Sequence, residues 1–272
     1  MSWAWAIPVR AALALAVAYL GICLWVFLRQ RAMLYCPEPL PEVRMLDSAR
    51  TQGLSRWADQ SGRALGWMTD SGSAIRPVLI LQGNAGNALD RGELLAKLQE
   101  AGSKSKIYLV DYPGYGSAPG RPDQQSLTSA AIAALDALPE PAIVVGESLG
   151  TGVAAQTAAR RPEKIRGLIL ITPFDSMASA ASHHYPWLPV GWLLLDRFNS
   201  IKALKAFPRP VAIVLGENDT TTPPEGGQRL FESLACPKML WVVRGANHND
   251  AALCLPAPAW KDLWAFATAA EN

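Results

Sequence analysis

The chain is poor in several things, and each shortage removes a class of function. Its 25 basic and 23 acidic residues nearly cancel, so no one-signed surface is available for a polyanion such as nucleic acid. Its four cysteines, Cys23, Cys36, Cys236 and Cys254, form no C-x-x-C pair, and one falls inside an apolar run. That argues against a disulfide framework and a zinc site, and the cysteines read as small buried hydrophobes. There are three histidines, and His183 and His184 are neighbours, so candidates for a proton-transferring base are few. No internal repeat is visible, and no low-complexity tract outside the N-terminus. What remains is apolar, half of 272 residues, which is enough to bury the core of one large α/β domain.

The N-terminus holds the longest apolar run. From Ala11 to Leu28, "AALALAVAYLGICLWVFL" passes without a charge, Pro or Asn. As a helix it spans roughly 27 Å, close to the hydrocarbon thickness of a bilayer. Trp3, Trp5 and Trp25 fall near its ends, where amphipathic rings favour the interface. No A-x-A-like cleavage site follows, "RQRAML" comes instead, and "LGIC" places the bulky Ile22 where a lipoprotein box needs a small residue. The run reads as an uncleaved single anchor over residues 1–30, with residues 11–28 in the lipid bilayer, apolar all round and not needed by the domain behind it. Arg29, Arg31 and Arg44 follow it and only Arg10 precedes it, which favours the bulk of the chain on the cytoplasmic side.

Residues 31–48 include the Pro-rich "CPEPLPEVR" and read as an extended linker, leaving 49–272 as the domain. "LSRWADQSGRALGWM" alternates around a Ser-Gly turn, a hairpin signal. Six continuous apolar runs follow: "VLIL" (78–81), "IYLV" (107–110), "AIVV" (142–145), "LILI" (168–171), "VAIVL" (211–215) and "MLWVV" (239–243). Such runs suit strands covered on both faces. Helix-like segments alternate with them, which predicts a mostly parallel, doubly wound α/β sheet with helices on both faces and the hairpin as an antiparallel edge. Residues 174–207, with "SHHYPWLPVGWLLLDRF", are too long and apolar for an ordinary connection and read as a small cap over a pocket.

One stretch, "VVGESLGTGVAA" (144–155), supports two chemistries. Gly150, Gly152 and Ala155 fit a dinucleotide-binding turn, with Asp175 at the distance of a ribose-binding acid. Gly146, Ser148 and Gly150 fit G-x-S-x-G, a turn that exposes a nucleophilic serine. The first glycine of a dinucleotide turn belongs directly after a strand, yet Gly150 lies five residues beyond Val145, so the elbow is preferred. A serine hydroxyl needs a base and a group to orient it. In an elbow fold these follow the serine as acid and then His, each after a strand. "VAIVLGENDTTTPP" supplies Asp219 and "MLWVVRGANHND" supplies His248. Asp219 also suits a plain turn, and Asp175 is the reserve acid. An oxyanion would be met by the amide of Leu149 and by that of Asn84 in "QGNAGN".

Together "QGNAGN", "DYPGYGSAPG", "GESLGTG", "ITPFDSM", "GENDTTTPP" and "GANHND" resemble the α/β-hydrolase superfamily, nearest to a membrane-anchored serine-aminopeptidase-like branch that includes protein depalmitoylases. The resemblance covers residues 40–272. It implies an eight-stranded sheet, a triad of Ser148, Asp219 and His248, hydrolysis through an acyl-enzyme, and no metal or organic cofactor. The expected substrate is a small acyl or acylated molecule, as an ester or thioester, with peptide hydrolysis and a non-catalytic binding module as alternatives. Two positions depart from the pattern: Gln82 stands where the family commonly has His, and Pro113 where it commonly has Arg. Gln82 is expected to keep a hydrogen bond within its loop. Tyr112 and Tyr115 are expected to be structural, with a secondary part in lining an acyl pocket.

Overall fold

The computed structural model of the protein describes residues 6–70, 73–102 and 105–269. Trp3 and Trp5 lie outside the described residues, so Trp25 alone represents the interfacial rings expected near the N-terminal run, and it is exposed.

Eight strands form one sheet. In chain order they are β1 (Leu54–Ala58), β2 (Ala64–Thr69), β3 (Ser73–Leu81), β4 (Ser105–Val110), β5 (Ala142–Glu147), β6 (Ile165–Ile171), β7 (Val211–Gly216) and β8 (Lys238–Val243). Their spatial order is β8-β7-β6-β5-β3-β4-β2-β1. Every pair from β8 to β4 is parallel, while β2 runs antiparallel to both β4 and β1, so the hairpin forms the antiparallel edge. The unbroken apolar runs follow from this arrangement. Leu79, Val144 and Leu168 face one core, and Val78, Ile143 and Ile169 face the other, so alternate residues of one strand are buried on opposite faces.

The first core is closed by α4 (Gln124–Asp136), α5 (Leu149–Ala158), α8 (Ser200–Leu204) and α9 (Pro224–Ser233); the second by α2 (Glu42–Thr51), α3 (Gly92–Gly102), α10 (Ala251–Cys254) and α11 (Ala257–Thr268). Between β6 and α8, α6 (Met177–His184) and α7 (Val190–Leu193) form the cap.

The N-terminal run is α1 (Ala6–Leu34). Its Pro8–Leu34 stretch is long and apolar enough to cross a membrane, with mean hydropathy 2.4 and 6% of the most apolar window buried. The run is not detached from the domain that follows it. Cys23 is buried against Leu188 and Val190, Tyr19 Oη donates to the carbonyl of Trp187 (2.9 Å), and Gln30 Nε2 donates to that of Leu193 (3.0 Å). Arg31 holds the buried Asp196 carboxylate through two nitrogens (2.9 and 3.2 Å).

The expected linker is corrected as well. α1 continues to Leu34, and the Pro-rich stretch is extended only to Leu40 before α2 begins at Glu42. That stretch is bonded along its length: Cys36–Pro37 pairs in parallel with Ala85–Gly86, and Pro39 with Gly116. The Pro residues hid α2, whose start is set by Pro41 just before its first turn. All four cysteines are free, and the reading of them as buried hydrophobes holds for Cys23; Cys36 and Cys254 are exposed and Cys236 is half-buried.

Candidate active site

Ser148 sits where β5 meets α5, in the middle of the sheet. Its backbone is strained, at φ 51° and ψ −117°, in a region that non-glycine residues rarely occupy. Two glycines make that turn possible. A Cβ on Gly146 would lie 2.7 Å from the carbonyl oxygen of Gly150, and one on Gly150 would lie 1.9 Å from that of Leu81. Gly150, Gly152 and Ala155 all lie inside α5, where no dinucleotide turn can form, and Gly152 accommodates Phe174 and Phe198.

The ends of β7 and β8 deliver the partners, Asp219 and His248. Ser148 Oγ and His248 Nε2 are 2.8 Å apart, and His248 Nδ1 and Asp219 Oδ2 are 2.7 Å apart. With Asp219 ionised, Nδ1–H donates to the carboxylate and Nε2 is left to accept the serine proton. Burial raises the Asp219 carboxyl, but the hydrogen bond and charge of His248 and the bonds from Thr222 outweigh it, and its pKa lies below the ordinary carboxylate value. Asp219 is thus ionised at neutral pH. The reserve acid, Asp175, is instead held by Arg229 (2.7 Å) and the amide of Ser176 (2.6 Å). Asp250 accepts from the amide of Asn247.

Sequence reasoning missed Thr222. Its hydroxyl lies 2.9 Å from Asp219 Oδ2, 3.1 Å from His248 Nδ1 and 3.1 Å from the carbonyl of Thr172, and its amide donates to Asp219 Oδ1 (2.8 Å). The only signal was "TTTPP" after the acid, which reads equally as turn chemistry.

The loop after β3 runs beside the serine, for a Cβ on Gly83 would lie 3.5 Å from Ser148 Cβ. Among the described residues, neither the Asn84 nor the Leu149 amide has a hydrogen-bond partner, and both residues line the same cavity as Ser148. Tyr115 Oη donates to the Asn84 carbonyl (2.8 Å) and Tyr112 Oη to that of Gln82 (3.4 Å), so both tyrosines brace this loop from below. They are buried and do not line the cavity, so the secondary acyl-pocket role is withdrawn. Gln82 is also corrected. Its side chain is 1% exposed, and neither amide atom has a partner.

Above Ser148 is an apolar cavity of about 240 Å³. The cap contributes Met177, Leu188 and Val190, and α1 contributes Val26, Gln30, Met33 and Leu34. A serine activated by a histidine that an ionised carboxylate orients, with two free amides alongside, is the arrangement of a serine hydrolase site.

Residues 76–209 match the family described as alpha/beta hydrolase fold. An uncharacterized protein of Mycobacterium tuberculosis is 36% identical over 256 residues, covering 90% of this chain and 89% of that protein. The lysophosphatidylserine lipase ABHD12 of Danio rerio is 30% identical over 208 residues, covering 68% of this chain and 54% of that one. Among solved structures, a Pyrococcus furiosus esterase overlays with TM-score 0.62 at 17% identity, covering 86% of this chain and 97% of that one. A Paleococcus ferrophilus monoacylglycerol lipase overlays with TM-score 0.56 at 20% identity, covering 74% and 97%. The chain belongs to the alpha/beta hydrolase superfamily.

Proposed function

We propose that this protein is a membrane-anchored serine hydrolase that cleaves a carboxylic ester or thioester through an acyl-enzyme, acting on a lipophilic acyl substrate. The observation that carries the reading is the continuous chain of short contacts from Ser148 through His248 to Asp219, opening into an apolar cavity. Ser148 Oγ attacks the acyl carbon as His248 Nε2 takes its proton. The amides of Leu149 and Asn84 receive the oxyanion, each such donor being worth about 3 to 4 kcal/mol in the transition state. His248 then protonates the leaving oxygen or sulfur, and water, deprotonated by the same nitrogen, releases the acid and restores the serine. The apolar character of α1 and the cavity supports the membrane and lipophilic parts of the reading.

The test is labelling with a fluorophosphonate probe, followed by hydrolysis of p-nitrophenyl butyrate. Wild type should label and turn over, and Ser148→Ala should lose both, its turnover falling about 10⁴-fold or more. A wild type that stays unlabelled while a control hydrolase reacts overturns the reading.

A further inference from the structure

The helix and the cap are in register in a way that fixes where the cavity opens. Contacts between α1 and the cap run from Tyr19 to Arg31, roughly 18 Å along the helix axis. Of the uncharged run, only Ala11 to Ala18 precedes Tyr19, about 12 Å of helix, too little to cross a hydrocarbon layer of roughly 30 Å. A helix that crosses with residues 11–28 in lipid therefore carries the cap down with it. The overlap of docking and apolar run, Tyr19 to Leu28, is about 15 Å, the thickness of one leaflet.

The cap surface agrees with that depth. Trp192 is 91% exposed and Trp187 54%, with Leu195 also exposed, and all three lie on the segment that touches α1. Exposed aromatic and aliphatic side chains continuous with an apolar helix suit burial in a leaflet. The cavity lies on this same seam, between Val26 and Met33 of α1 and Leu188 and Val190 of the cap, and it reaches Ser148. At about 240 Å³ it is below the roughly 300–1,000 Å³ usual for a whole drug-sized ligand, so it suits one acyl chain rather than two.

We infer that the cap is immersed in one leaflet and that the seam between α1 and the cap is an acyl-chain portal, through which a single-chain acyl ester enters from the bilayer. This rests on the serine-hydrolase reading above. α1 is then a wall of the substrate site, and Val26 and Val190 set the chain length it accepts.

The experiment uses the full chain in phosphatidylcholine vesicles and two readouts. The first is the ratio of kcat/KM for p-nitrophenyl palmitate to that for p-nitrophenyl butyrate, compared between wild type and Val26→Trp. The inference expects the ratio to fall at least tenfold, and an unchanged ratio overturns it. The second is tryptophan fluorescence in vesicles whose acyl chains are brominated. Wild type should lose more emission than Trp192→Phe, and equal quenching overturns the immersed cap even where Val26→Trp fails to fold. Labelling and butyrate turnover of the wild type judge the hydrolase reading separately, since the short ester needs no portal.

Discussion

The cavity has a polar floor and an apolar wall, and the two are built on opposite principles. The floor is over-determined: Asp219 accepts from Thr221, Thr222 and His248, and Ser148 is held strained by close backbone contacts at Gly146 and Gly150. The wall is α1 against the cap, joined by apolar packing, a few hydrogen bonds and, at its C-terminal end, the Arg31–Asp196 ion pair. On the proposed function, chemistry that depends on tenths of an ångström would be placed on strand ends, and recognition of a flexible acyl chain on a wall that is mostly apolar packing.

Substitutions in the floor should break this contrast in proportion to how directly they touch the proton path. Asp219→Asn leaves His248 without its anionic partner and favours the wrong tautomer, so kcat should fall about 10³- to 10⁴-fold. Steady-state kinetics on p-nitrophenyl butyrate reads this, and a loss under tenfold would return attention to Asp175.

Thr222→Val keeps the shape but removes a hydroxyl 2.9 Å from Asp219 and 3.1 Å from His248. As a positioning residue it should cost about tenfold in kcat with KM unchanged, since the lost bond is worth about 1 to 2 kcal/mol. Thr222→Ser should restore the rate, and an equal loss in Thr222→Ser would show that packing alone matters.

Outside the cavity, Asp111 follows the end of β4 and holds Arg56 (2.8 Å) and the Trp67 indole (3.1 Å). Burial pushes its carboxyl up to about 6, against the pull of Arg56 and Trp67. Between the ordinary value near 4 and about 6 the folded chain holds a proton that the unfolded chain releases, so this contribution to stability falls as pH rises through that window. Asp111→Asn should flatten the fall, read as thermal midpoints from pH 4 to 7 in detergent.

The smallest effect is at Gln82. A buried amide with no partner carries a desolvation cost, so Gln82→Leu should stabilise the fold by about 1 kcal/mol, measured by the same melts. A destabilised variant would show that the amide supports the loop.

Most of the sheet and the elbow was legible because they obey local rules. An apolar run of four or five residues needs two covering faces, and G-E-S-L-G needs small residues beside a strained serine. Asp219 and His248 were found by order along the chain, which the parallel topology converts into adjacency. Thr222, the bracing by Tyr112 and Tyr115 and the unpartnered Gln82 were not legible, because each depends on which groups meet across the fold. α2 was hidden by the prolines before it. The docking of α1 was hidden by its largely uniform composition, since a helix apolar all round announces no preferred face, and among the described residues Tyr19, Cys23, Gln30 and Arg31 on the cap side break that uniformity.

The carbonyl of Leu34, the last residue of α1, accepts a hydrogen bond from the side chain of Asn84 (3.0 Å). Trimming the chain to start at Tyr35, the usual route to a water-soluble preparation, would cut that bond, remove one side of the cavity and strip Asp196 of Arg31. A protein shortened in this way would report on a damaged pocket, so its biochemistry is best pursued on the whole chain in detergent or nanodiscs.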